Sequence, residues 1–483
     1  VQATLKYNGI AGLLAGLGFG ILSILAYKFY GFEYVFIVPL IGFLVFFALL
    51  RLDKFALLIG GLAPLSVNVE DVGGGLGMAF PTEPIIILLF CLLIFYYIKH
   101  FTIPVNIIKH PMVLLVIAYT LWLWISSISS VQPLVSFKFA FARTWYIVVF
   151  FFGGLWWFKK QSNIRFFLIW QVVATVLLSL FTIYQHSEFQ FARGASYGIS
   201  WPFFPDHGMY AACLAFAIPI LMVFIFRPQR FQISKLGQSV LIGFLLVILF
   251  AIVISYTRAT WLSLVVALAT YFILYIKIKF RYILITLLLV TSIGIAKQDQ
   301  ILYALSANKQ GSSDEIEGHI KSVSNITTDP SNMERVNRWA CAIRMAEDRP
   351  AFGFGPGTFV FQYGAYQKTD ELTIISTFFG DLGDAHSEYF SALSEMGYPG
   401  LLFWGSIFLY SVALAFSVYN KSKIPTIKST ALIALLALVT YYFHAFLNNY
   451  SQYDKIAVPL WCFLSILVCL DLYTKEQARL EQE

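Results

Sequence analysis

Long apolar runs alternate with short polar gaps along almost the whole chain. The runs cover residues 9–26, 35–50, 84–98, 112–131, 145–158, 166–185, 209–226, 236–256, 259–276, 282–296, 401–418, 431–447 and 458–472, with 55–67 as a weaker one. A helix needs about 20 residues to cross a hydrocarbon core of roughly 30 Å, so the pattern predicts about 12 to 14 transmembrane helices. The runs are apolar on every face and lack the period-two alternation of a membrane barrel strand, so helices are the reading. An all-α polytopic membrane protein follows. The first run is succeeded by many others and has no small-residue cleavage site, which predicts a retained helix rather than a removed signal. The sequence opens on Val1 without an initiator Met, which reads as a trimmed start.

Composition agrees: 59% of residues are hydrophobic, 18% aromatic and only 12% charged, with a mean hydropathy of +0.75. Ordinary soluble domains carry about twice that share of charge. Of the five cysteines, Cys91, Cys213, Cys462 and Cys469 lie in apolar runs and only Cys341 in a polar stretch. No disulfide framework, CxxC pair or His/Cys cluster is expected, and hence no metal site.

The net charge of +7 follows loop topology and does not call for a nucleic-acid partner. Lys and Arg concentrate in alternate loops: Arg51/Lys54, Lys99/Lys109, Lys159/Lys160/Arg165, Arg227/Arg230/Lys235, Lys277/Lys279/Arg281 and Lys421/Lys423/Lys428. The positive-inside rule makes those loops cytoplasmic and, with an even number of spans, both termini as well. Residues 69–83, 132–144, 186–208, 257–258, 298–385 and 448–455 then face the other side. Most residues able to do chemistry fall there, which argues against a cytoplasmic nucleotide-sugar and for a lipid-linked or envelope substrate.

Three segments result: N-terminal helices at 1–297, a large helical loop at 298–397, and C-terminal helices with a short tail at 398–483. In the loop, Ser331 and Glu334 form an S-x-x-E capping box after Asp329-Pro330. Val336, Trp339, Ala340 and Ile343 recur at helical spacing, and Pro350 ends the pattern. Such a helix lies along the membrane surface or caps a cavity, because its apolar face needs a partner. The GFGPG stretch, residues 353–357, predicts a tight turn that brings backbone close to a ligand or a helix. It lacks the Lys-Ser/Thr and the preceding strand of a phosphate loop.

Several ionisable residues stand apart. Arg258, in SYTRATWLSL, occupies a turn between two apolar runs, either snorkelling to headgroups or clamping a phosphate with its planar fork of donors. Arg335 and Arg338 fall on nearly one face of the loop helix and, with Arg193, could add to an anion site or pair with Glu334 or lipid phosphates. His386 ends the loop, with Asp381, Asp384 and Glu388 close in sequence and Tyr389 opening the next helix. A carboxylate beside an imidazole can orient it as a base for a hydroxyl proton; the alternative is a buried structural histidine. His207, directly after Asp206 at the start of another apolar run, is a second candidate.

In order along the chain stand SYTRATWLSL, R-x-x-x-W (Arg335 to Trp339), D-x-P (Asp348 to Pro350), G-x-G-P-G, H-S-E-Y and E-M-G-Y-P-G. This order resembles the O-antigen ligase and polymerase superfamily of bacterial envelope glycosyltransferases. The resemblance implies a GT-C-like membrane fold in the bacterial inner membrane. It also implies transfer, on the periplasmic face, of a glycan carried on undecaprenyl pyrophosphate to an acceptor hydroxyl. No metal or cofactor takes part. Ligases use the lipid A core as acceptor, polymerases another repeat unit, and relatives a protein side chain; the single late loop favours the ligase branch. Carried over by motif, His386 becomes the base and Arg258 and Arg335 the pyrophosphate ligands, with Arg193 and His207 matching more loosely. Ser387 stands where relatives often have Asn, and an Asn common near His207 is missing, departures that bear on acceptor choice. The 30–33 loop has no D-x-D pair for a divalent ion. A lipid-linked glycan transporter would instead place ionisable groups near the bilayer midplane.

Overall fold

The computed structural model describes residues 50–69, 77–100, 104–297, 330–373, 376–377 and 383–482. The chain falls into two compact units, Val1–Ile59 and Gly60–Glu483. The expected span at 9–26, all but the end of that at 35–50, the 30–33 loop, residues 298–329 and Asp381 lie outside the described residues.

The described residues are helical apart from a short antiparallel ribbon that pairs Val67–Val69 with Met78–Phe80. Among them, 10 helices are long and apolar enough to cross a membrane: Thr82–Lys99, Pro111–Ile128, Pro133–Trp157, Gln161–Glu188, His207–Phe226, Lys235–Ile254, Arg258–Tyr275, Glu388–Lys421, Pro425–Leu447 and Asp454–Leu480. The expected all-α polytopic class is what is found. The helices that start at His207, Pro425 and Asp454 are buried along nearly their whole length and form the centre.

Three expectations change. The weak run at 55–67 is a helix of only 11 residues, Leu52–Leu62, ended by a turn at Ala63–Leu65 and the ribbon. The run at 282–296 lies in a 17-residue helix, Phe280–Ala296, marginal for a span. The loop expected at 132–144 is instead the first half of the Pro133–Trp157 span. Lys138 and Arg143 interrupt its apolar pattern and suggested a loop. In the fold Lys138 is exposed, and Arg143 is buried with partners of its own.

The Glu388–Lys421 helix has 34 residues, about 50 Å at 1.5 Å per residue, much more than a bilayer core. It breaks at Gly397, whose φ of 70° is left-handed. The GFGPG turn packs into this break. Phe354 and Gly355 N–H donate to the carbonyls of Ser394 and Glu395 (3.0 and 2.9 Å), and Tyr398 N–H donates to Pro350 (2.9 Å). The turn therefore approaches a helix, resolving the choice between helix and ligand. A Cβ on Gly355, at φ 111°, would sit 2.0 Å from Ser130 Oγ. Gly355→Ala combines backbone strain with overpacking and should lower stability by about 2–4 kcal/mol, read as a fall in the unfolding midpoint of the detergent-purified protein.

The loop helix is present as Pro330–Asp348, but its buried face differs from the expected one. Val336, Trp339 and Ala340 are half-buried and Ile343 is exposed, whereas Asn337, Arg338, Cys341, Ala342 and Met345 are buried. Cys341, Ala342 and Met345 pack with Phe354, Phe359, Tyr363 and Ala385. The polar members of this seam are covered because the following loop supplies hydrogen bonds: Asn337 Nδ2 donates to Gln367 Oε1 (3.0 Å), and Tyr363 lies under the Arg338 guanidinium at 5.0 Å. Glu334 is taken up by the loop helix and the loop after it. Its carboxylate accepts from Arg338 Nε (2.9 Å), Thr373 Oγ1 (2.8 Å) and Ser376 Oγ (2.5 Å).

Candidate functional site

Several chain segments meet at one end of the bundle, opposite the end of the His207–Phe226 helix where Arg227 and Arg230 reach Ser429 (3.4 and 2.7 Å). At the converging end, Thr257 Oγ1 donates to the carbonyl of His207 (3.2 Å), tying the turn before Arg258 to the start of the His207–Phe226 helix. Asp206 caps that helix by accepting from Met209 N–H (2.9 Å) and also accepts from Tyr450 Oη (3.0 Å). The Tyr197 ring meets the His207 ring edge-on at 4.5 Å. Arg335 Nε donates to the carbonyl of Leu447 (3.1 Å), which anchors the loop helix over the end of the Pro425–Leu447 helix. Trp339 adds a stack on Phe390 (5.2 Å) and an edge contact with Phe446 (5.0 Å).

Arg335 is the hub of the electrostatics. It acts on His386, on His207 together with Arg193, and on His444. Arg258, half-buried, opens its helix two residues before Thr260, whose hydroxyl lies 3.2 Å from His444 Nε2. The fold thus brings Arg193, Arg258, Arg335, His207 and His386 to one region from distant parts of the chain.

His386 sits on an unusual backbone. Its φ of 48° is left-handed, sparsely populated by residues other than glycine. Asp384 Oδ1 accepts the His386 backbone N–H (2.8 Å) and lies 3.9 Å from Nδ1, beyond hydrogen-bond reach. The carboxylate therefore orients the imidazole through the main chain. Arg338 Nη1 donates to the Asp384 carbonyl (2.9 Å), and Ser387 caps the next helix by accepting from Phe390 N–H (3.5 Å). The His386 side chain keeps 37% of its surface open, as a base that meets a substrate requires. Enclosing protein, with Arg335 and Arg338 nearby, pushes its pKa down to about 3, and burial raises that of Asp384 to about 7. The imidazole is therefore neutral through the neutral pH range, the form in which it can accept a proton.

Other sequence-selected residues are engaged in the scaffold. Arg338 is buried at 3% exposure and committed to Glu334 and Asp384. Tyr389 Oη donates to the carbonyl of Tyr442 (3.2 Å). Glu388 is buried, with its carboxylate taken by Tyr441 and Ser451. Sequence reasoning passed over His444, Tyr450 and Arg143. His444 and Arg143 are ionisable residues within apolar helices, a signal open to detection; Tyr450, in NNYSQYDK, gave none. Among the described residues no group of three His, Cys, Asp or Glu is arranged to hold a metal ion.

Architecture and site together define a multi-pass α-helical membrane protein with an arginine–histidine cluster at one end of its bundle. Residues 242–405 match the family model for O-antigen ligase, which supports placing the chain in the O-antigen ligase/polymerase superfamily and supports O-antigen ligase-type activity in general. The matched stretch includes Arg258, Arg335, Arg338, the GFGPG turn, His386, Glu388 and Tyr389, and leaves out Arg193, Asp206 and His207. No curated protein matches the chain.

Proposed function

We propose that the protein is a metal-independent glycan ligase that transfers a polysaccharide from undecaprenyl pyrophosphate to a hydroxyl of the lipid A core. In this reading the fold is GT-C-like, the protein lies in the bacterial inner membrane with both termini cytoplasmic, and the converging end of the bundle faces the periplasm. The observation that carries it is the placement of Arg335 where it acts on both His386 and His207, inside the stretch matched by the O-antigen ligase family.

The chemistry divides between the two residue types. His386 takes the proton of the acceptor hydroxyl as its oxygen forms the new bond to the anomeric carbon. The old bond from that carbon to the pyrophosphate oxygen breaks, and its electron pair leaves with undecaprenyl pyrophosphate. Arg335, Arg258 and Arg193 hold the donor and stabilise the charge that grows on the leaving group. Arg338, Asp206, Glu388 and Tyr389 shape the site and do not contact the donor. Pyrophosphate already leaves well, so charge neutralisation and alignment are the main tasks.

The deciding assay reconstitutes the purified protein with a lipid-linked glycan and offers lipid A core and a second lipid-linked unit as competing acceptors. Extension of lipid A core is the expected outcome; extension of the second unit would make the protein a polymerase. In the same assay, Arg258→Ala should weaken use of limiting donor by about 1.5–3 kcal/mol per charged hydrogen bond lost. Unchanged kinetics would leave Arg258 only its interfacial role.

A further inference from the structure

A buried charge cluster lies beside the arginine–histidine site and involves a residue with no place in the reaction above. Glu388 Oε1 accepts from Tyr441 Oη (2.7 Å) and Ser451 N–H (2.6 Å), and Oε2 accepts from Ser451 Oγ (2.7 Å). Arg143 Nη2 donates to the same Ser451 hydroxyl (2.7 Å) and lies 4.0 Å from Glu388 Oε2, while Nη1 donates to Tyr119 Oη (2.9 Å). Arg143 and Glu388 are 5% and 4% exposed, and Tyr119, Tyr441 and Ser451 are buried around them. Five elements therefore meet on one ion pair: the Pro111, Pro133, Glu388 and Pro425 helices and the junction between the Pro425 and Asp454 helices.

Removing two charges from water commonly costs as much as their attraction returns, so stability alone does not account for such a pair. Its location does suggest a task. Glu388 is two residues after His386, whose left-handed backbone has to be held in place. Asp384 and Arg338 hold it from upstream, and Glu388 fixes the first helical turn downstream. Ser451, which takes Glu388, adjoins Tyr450, which takes Asp206 at the start of the His207 helix. One chain of contacts thus runs from the segment carrying His386 to the segment carrying His207.

We propose that Arg143 and Glu388 are positioning residues. Their ion pair pins the turn after His386 to the 448–453 junction and fixes the imidazole relative to the arginines and to His207. The proposal rests on the reading of His386 as the base. It predicts that the charge matters beyond the shape: Glu388→Gln can keep hydrogen bonds to Tyr441 and Ser451 but removes the charge that faces Arg143.

The test measures kcat and donor KM for purified full-length Glu388→Gln and Arg143→Met, each alone and combined with His386→Ala. Each single change should lower kcat by about 10–100-fold, as expected for a base displaced by a fraction of an ångström to an ångström, with donor KM within about threefold of wild type. In the His386→Ala background neither change should slow the residual reaction further. A folded single variant with kcat within about twofold of wild type overturns the proposal, as does a loss that recurs in full without the imidazole. Where either variant fails to fold, Tyr441→Phe and Ser451→Ala enter the same cycle, each removing part of the grip on the carboxylate while leaving the ion pair. They should lower kcat several-fold in the presence of His386 only, and no dependence on His386 overturns the proposal. If His386→Ala itself turns over normally, the assignment of the base has failed. A slow His386→Ala beside a normal Glu388→Gln rejects the positioning role alone.

Discussion

His386→Ala is expected to slow glycan transfer by about 10²–10⁴-fold, the range associated with losing a general base, while donor binding changes little. The imidazole is partly open and flanked by arginines, and Asp384 is occupied with the main chain and so is not set to take its place. Near-normal turnover of the folded variant would remove His386 from the chemistry.

The arginines add a pH signature. Burial, with Arg335 and Arg338 nearby, holds the pKa of His386 at about 3, so the free enzyme has the neutral base throughout the neutral range. A bound pyrophosphate brings negative charge to Arg335, offsets its repulsion of the imidazolium, and raises the pKa. Protonation removes the base, so the loss lies on the acid side. The acid limb in kcat, which reports the loaded enzyme, should therefore sit at higher pH than the limb in kcat/KM, which reports the free enzyme. Coincident limbs would contradict the coupling.

Arg338→Ala should produce the largest loss of stability among the site's arginines, about 3–5 kcal/mol, because it leaves Glu334 charged and buried without its cation. The side chain also holds the Asp384 carbonyl and covers the Tyr363 ring. The expected observation is a lower unfolding midpoint together with faster proteolysis of the segment after residue 349. Arg338→Lys restores the charge but not the fork that serves Glu334 and Asp384 together, and should recover only part of the loss. A variant of wild-type stability that binds donor weakly would instead make Arg338 a ligand.

Much of the fold was readable because its spans are uniformly apolar, a signal that does not depend on tertiary partners. The exceptions have specific causes. Arg143 disguised half a span as a loop because its charge is neutralised by Glu388, 245 residues away in sequence. The loop helix was assigned the wrong inner face because apolar periodicity cannot show that Asn337 and Arg338 will be covered by Gln367 and Tyr363. At the site, sequence selected Arg258, His207 and His386 by their position at or beside helix starts, Arg335 by its helix face and motif, and Arg193 as a loop cation, and the fold brings them together. Spacing put Arg335 and Arg338 on one helix face, while the motif singled out Arg335, and the pairing with Glu334 offered as Arg338's alternative is the one the fold makes. His444 was missed because a single histidine in an apolar run reveals nothing about Thr260 or Asn448, its contacts across the bundle.

The break at Gly397 has a mechanical consequence. The stretch after Pro399 can therefore follow the direction of the membrane bundle without dictating the direction of the stretch from Glu388 to Met396. Backbone bonds to Phe354 and Gly355 and the indole of Trp122 on Met396 (2.9 Å) hold that shorter stretch at the break. The GFGPG turn, and not the course of the long span, sets the direction of the helical turn that follows His386.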